Sequence, residues 1–301
     1  MGLWVAAIGC IVTGSTIAGA GSADSPHITY HSGVAEVRLT FSATDQTGQP
    51  LSTLDEHDFA VVDGEDVVRN FQSFGRTPEA SLDLAVLVDA SESVKPHFRQ
   101  ETADGLQLVS HLTTIPQRQL SVISFRDLTP AVLCATGCTP STTAKQLASL
   151  EAGGATPLFD AVFFAADLMS EHAMTDAKRV LIVFSDGEDT ISRHSVTDAI
   201  AHALERDIQL CVVDLSPSGH SAEGTFFLRK LANDTGGRYF ATAADAVRSL
   251  DVTLADFRMA YTVTYKVPGH APGFHPVRIL PTYDLRLQFR CRSGYEYSGK
   301  E

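Results

Sequence analysis

The sequence predicts an α/β protein: a doubly wound, mostly parallel sheet with one antiparallel edge strand, inserted in a small antiparallel β-sandwich-like module. Three observations carry this. The middle of the chain alternates short apolar runs with helical segments. Both flanks instead alternate apolar and polar residues, as half-buried strands do. Neither flank holds enough strands to bury a core alone, so the two are expected to pair.

In chain order, residues 3–20 are apolar and small and end in Ala18-Gly19-Ala20, so residues 1–23 are expected to be a signal peptide. No Lys or Arg precedes the apolar stretch, and Ala7-Ile8-Gly9-Cys10 loosely follows a lipobox, so a lipid anchor or an uncleaved anchor stays open. Residues 27–77 form the first half of the expected β-module. Val37, Leu39 and Phe41 alternate, Asp45 to Pro50 is a turn, and Phe59 to Val62 and Val67 to Phe74 continue the pattern around Asp63-Gly64. The α/β domain is expected over 80–258. Its strands fall at 82–88, 119–125, 131–134, 180–185, 208–214 and 238–240. Its helices fall near 97–113, 141–150, 157–172, 195–206, 222–234 and 243–258. The link Arg126 to Pro130 is too short for a crossover helix, which makes the third strand antiparallel. Gly236 or Gly237 can close the preceding helix in the left-handed conformation. Residues 259–301 supply the second half of the β-module: Tyr261 to Val267, Val277 to Leu280, and Asp284 to Arg290 with Leu285, Leu287 and Phe289 alternating.

Three segments carry chemistry. The run LDLAVLVDASESV, residues 82–94, is a strand apolar on both faces that ends in Asp89, followed by Ser91 and Ser93. One carboxylate and two hydroxyls at alternate positions can converge on a point, and oxygen donors suit a hard cation. The same residues are also ordinary turn and cap residues. The second segment is GGATPLFDA, residues 153–161, where Thr156 reads as an N-cap and Pro157 as the first helical residue. The third is VLIVFSDGEDT, residues 180–190, a buried strand ending in Asp186-Gly187. Open α/β sheets bind ligands at the carboxyl ends of their strands, where these segments fall.

In order and spacing the three segments resemble the von Willebrand factor A family with its metal-ion-dependent adhesion site. The resemblance covers roughly residues 80–258. It implies that Asp89, Ser91, Ser93, Thr156 and Asp186 ligate a divalent cation, Mg²⁺ or else Mn²⁺ or Ca²⁺. It also implies that the site binds a protein or peptide through an exposed Asp or Glu. Glu188 and Asp189 are expected in a solvated loop, and Glu92 pointing outward. The segment TFSATDQTGQPLSTLDEHDFAVVDG and the closing RCRSGYEY resemble a secreted bacterial family of related proteins in which both flanks accompany the A-type domain.

Composition narrows the classes. The net charge of −13 argues against nucleic acid and anionic membrane surfaces, and fits a cation site on a secreted or cell-envelope protein. Beyond residues 3–20 no segment is apolar enough to span a bilayer, and oligomeric state is unreadable. Cys134 and Cys138 stand in CATGC, which allows a small disulfide loop or two thiols equally. Cys211 reads as core and Cys291 has no evident partner.

An enzyme is not expected. An Asp-nucleophile phosphatase needs a second Asp where Ser91 stands. No G-x-S-x-G or H-E-x-x-H motif is present, and His270 and His275 bracket a loop-like APGF. A structural envelope-assembly module with a stabilising metal is the other alternative.

Overall fold

The computed structural model describes residues 36–76, 81–96, 98–112, 118–172, 177–216, 222–268 and 272–299. The expected signal peptide, Cys10 and His270 lie outside the described residues. The amino-terminal flank forms β1 (Glu36–Thr44), β2 (Phe59–Asp63), β3 (Asp66–Val68) and β4 (Ser73–Arg76). Next come β5 (Leu82–Asp89), α1 (Phe98–Leu112), β6 (Arg118–Phe125), β7 (Ala131–Cys134), α2 (Pro140–Ala148), α3 (Leu158–Glu171) and β8 (Lys178–Ser185). They are followed by α4 (Val196–Glu205), β9 (Ile208–Asp214), α5 (Ala222–Asp234), β10 (Arg238–Phe240) and α6 (Ala243–Arg258). The carboxyl-terminal flank forms β11 (Tyr261–Lys266), β12 (Gly273–Pro281), β13 (Gln288–Cys291) and β14 (Gly294–Tyr297).

The central sheet has the order β10-β9-β8-β5-β6-β7. All pairings are parallel except β6 with β7, where the short link forces a reversal. Every residue of β5 is buried because helices cover both faces of the sheet. Leu84, Val86 and Val88 pack with Leu108 and Leu112 of α1 and Leu254 and Phe257 of α6. Ala85 and Leu87 pack on the other face with Val162 and Ala165 of α3 and Leu228 of α5. Burial on both faces is why this strand reads as a continuous apolar run.

Strands of the two flanks pair with each other. One sheet has the order β13-β1-β11-β4, the other β14-β12-β2-β3. Their facing residues, among them Leu39, Phe41, Phe59, Val61, Val263, Tyr265 and Ile279, share one apolar cluster. The chain leaves one sheet by β4 and returns to it by β11, and these two strands are hydrogen-bonded neighbours.

The carboxyl-terminal flank departs from the sequence pattern in three places. Pairing with β1 begins only at Gln288. Residues 284–287 are instead a turn in which Asp284 accepts hydrogen bonds from Arg286, leaving Leu285 79% exposed. His275 lies in β12 rather than in a loop. The segment GYEY forms β14, whose two tyrosines are buried.

The sandwich lies against the amino edge of the central sheet. Ser293 donates to the Asp234 carbonyl at 2.9 Å. Gly236 has φ +75°, and a Cβ there would sit 2.7 Å from the Cys291 carbonyl carbon. Buried Asp256 of α6 accepts from Arg238 of β10 at 2.9 Å and from Arg290 of β13 at 3.5 Å. Parallel strands of eight residues span about 25 Å, so the carboxyl edge of the sheet is the opposite pole.

Candidate metal centre

Asp89 ends β5 at that opposite pole and is fully buried. Register places it beside Ser185, the last residue of β8, whose hydroxyl donates to Asp89 Oδ2 at 2.7 Å. The Ser91 amide donates to Asp89 Oδ1 at 2.9 Å. The next turn brings the Ser91 and Ser93 hydroxyls within 3.1 Å of each other. Glu92, between them, points outward and pairs with Lys95.

The second loop is laced to the first. The Gly153 amide donates to the Ala90 carbonyl at 3.0 Å, and the Glu92 amide to the Gly154 carbonyl at 3.0 Å. Asp127, at φ 51°, clamps the same loop by exchanging bonds with Ala155: its amide donates to the Ala155 carbonyl, and its carboxylate accepts from the Ala155 amide.

Thr156 is buried, but it is not the N-cap of α3. That place falls to Pro157, with no side-chain capping bond. The free amides of the first turn are served from the third loop. Ser192 Oγ accepts from the Phe159 and Asp160 amides at 3.1 Å, and Asp189 Oδ1 braces Ser192. Asp189 is therefore half-buried and structural rather than part of a solvated loop, whereas Glu188 is exposed. The Thr156 amide donates to Thr190 Oγ at 2.8 Å, and the Thr190 amide returns a bond to the Thr156 carbonyl. All three loops are thus joined into one edge.

Asp186 is buried beside Asp89 and caps the Glu188 amide with its own carboxylate. Burial first, and then the neighbouring Asp186 charge, push the Asp89 carboxyl up to about 7. What opposes that rise is hydrogen bonding from Ser91 and Ser185, not a cationic side chain.

This donor set fits a hard divalent cation: two close, buried carboxylates with hydroxyls around them and oxygen atoms only. Among the described residues no three His, Cys, Asp or Glu side chains gather as a metal site. A cation here would rest on two carboxylates, with hydroxyls and water completing its shell. Sequence reading did not single out Ser185, Asp127, Thr190, Ser192 or Asp214. Asp214 alone carried a usable signal, since it is a third Asp at the end of a buried apolar strand.

Fold and site together define a doubly wound α/β domain with an oxygen-rich carboxyl edge. Residues 84–188 match the family model of the von Willebrand factor type A domain, a class that in general mediates protein interactions. In structure the chain is similar to the conserved hypothetical protein BatB from Bacteroides thetaiotaomicron, with 16% identity, 59% of this chain and 98% of that chain covered, and a TM-score of 0.47. It is also similar to the vWF domain of the type V pili tip protein Mfa5 from Porphyromonas gingivalis, with 12% identity, 60% and 95% covered, and a TM-score of 0.48. No curated protein matches the chain.

Proposed function

We propose that the protein is a non-enzymatic, extracytoplasmic module that binds a protein or peptide partner through a divalent cation held by Asp89, Ser91, Ser93, Thr156 and Asp186. The observation that carries this reading is the placement of two buried carboxylates, Asp89 and Asp186, beside the paired Ser91 and Ser93 hydroxyls at one hydrogen-bonded edge. A bound Mg²⁺, or Mn²⁺ or Ca²⁺, would supply an electron-poor position that an Asp or Glu of the partner can fill. The chain's own residues do the rest. Asp89 and Asp186 concentrate negative charge where water is scarce. Ser91 and Ser93 add neutral donors, so positive charge is not fully cancelled. Thr156 and Thr190 hold the second and third loops in mutual register.

The Cys134–Cys138 disulfide supports an oxidising compartment. Among the described residues no helix is long and apolar enough to cross a membrane. The test is capture of a partner from the native envelope fraction, in Mg²⁺ and in EDTA, beside a Ser91→Ala/Ser93→Ala control. Retention by wild type only in Mg²⁺ supports the reading. Equal retention in every condition would make any metal purely structural.

A further inference from the structure

We propose that Asp214 is a positioning residue for the cation site, acting through Ser216 on the loop that carries Asp186. The inference rests on the cation-site reading and adds residues outside its five ligands. Asp214 ends β9 and is paired in register with Ser185. Its buried carboxylate gathers three donors: the Ser216 amide at 2.8 Å, Thr225 Oγ of α5 at 3.1 Å, and the Tyr239 hydroxyl of β10 at 2.5 Å. The Arg229 guanidinium lies 4.2 Å above the Tyr239 ring.

Two of these donors belong to segments that touch the third loop. Ser216 Oγ donates to the Asp186 carbonyl at 3.1 Å. Gly224, next to Thr225, packs so closely on Asp186 that a Cβ there would lie 2.5 Å from the Asp186 carbonyl oxygen. The Leu215 amide closes the arrangement on the Ser185 carbonyl at 3.0 Å. One carboxylate therefore fixes both surfaces against which Asp186-Gly187 rests. Asp186 has little freedom to turn away, although Gly187 at φ +81° is a conformation only glycine adopts readily.

The cations differ in what they demand. Mg²⁺ requires near-ideal octahedral geometry, whereas Ca²⁺ tolerates irregular shells. Loosening the Asp186 loop should therefore weaken Mg²⁺ more than Ca²⁺. The experiment is calorimetric titration of the full chain with MgCl₂ and with CaCl₂, together with unfolding midpoints in EDTA. Ser216→Ala should weaken Mg²⁺ binding about tenfold, the range typical of groups that orient a ligand. It should weaken Ca²⁺ less and leave the EDTA midpoint unchanged. Ser216→Thr, which keeps the hydroxyl, should bind Mg²⁺ like wild type, and Asp214→Asn should follow Ser216→Ala. Should Asp214→Asn fail to fold, the two Ser216 variants still decide. Wild-type Mg²⁺ affinity in Ser216→Ala overturns the proposal, as does a loss equal for both ions that tracks a lowered EDTA midpoint. Absence of binding by wild type overturns the cation site itself, and this proposal with it.

Discussion

Ser185 Oγ donates a 2.7 Å hydrogen bond to Asp89 Oδ2 across the β5–β8 pair, both residues being fully buried. With the Ser91 amide on Oδ1, this bond on Oδ2 fixes the orientation of a carboxylate that sits close to a second one. At pH 8, where Asp89 is ionised, Ser185→Ala should lower stability in EDTA by about 1.5–3 kcal/mol, the range for a hydrogen bond to a charged acceptor. Urea unfolding checks this, and an unchanged midpoint would mean the bond contributes nothing.

Cation binding should raise the melting temperature. At a hundredfold excess over Kd the gain is about 2.7 kcal/mol, which for a chain of this size is on the order of 4 °C. Asp89→Ala should abolish the rise. An equal rise in the variant would place the metal elsewhere.

The Asp89 carboxyl, raised to about 7, also gives a pH signature. A folded-state pKa above the unfolded one means that the folded protein binds the extra proton. Without metal, this group's contribution to stability therefore falls as pH rises through the window up to about 7. Ligation requires the ionised form, so saturating Mg²⁺ should oppose that fall. Melting curves at pH 5.5 and 8, in EDTA and in Mg²⁺, read the difference directly. Identical slopes in the two conditions would refute the coupling.

Asp83 offers a control away from the site. It is buried near the start of β5, and burial pushes it up to about 6 against the attraction of Arg179 and His172. Asp83→Asn should stabilise the protein at pH 8 by on the order of 2–3 kcal/mol and have little effect at pH 4, where the native carboxyl is already protonated. A gain independent of pH would show that charge is not the reason.

In the sandwich, Asp63 accepts hydrogen bonds from Tyr265 at 2.9 Å and Tyr295 at 2.8 Å, with His275 Nδ1 at 3.2 Å. Burial and the Asp63 charge raise both phenols well above their ordinary range. Asp63→Ala strands two buried hydroxyls and should destabilise the protein by about 3 kcal/mol or more. Guanidinium unfolding checks it. A loss below about 1 kcal/mol would mean that water replaces the carboxylate.

The sequence exposed the central domain because burial on both faces writes itself into β5, β8 and β9 as uninterrupted apolar runs. It exposed less where pairing decides. Leu285, Leu287 and Phe289 keep a strand period, yet only the last part finds β1 as a partner, because Asp284 and Arg286 close a turn first. Thr156-Pro157 has the composition of a helix start, but Ser192, 36 residues away in sequence, accepts the Phe159 amide that Thr156 would have capped. Ser185 was invisible for a related reason. Its role comes from standing beside Asp89 in the register of two strands 96 residues apart.

The chain enters and leaves the central domain through β4 and β11, which lie side by side in one sheet. The edge that carries Asp89 and Asp186 is at the far pole. A force applied at that pole would therefore run down the length of the parallel sheet and reach the sandwich through the β4 and β11 connections and through the contacts of Ser293 with Asp234 and of Arg290 with Asp256. A load entering there is resisted by the β4–β11 and β1–β11 ladders together rather than by a lone flexible strand.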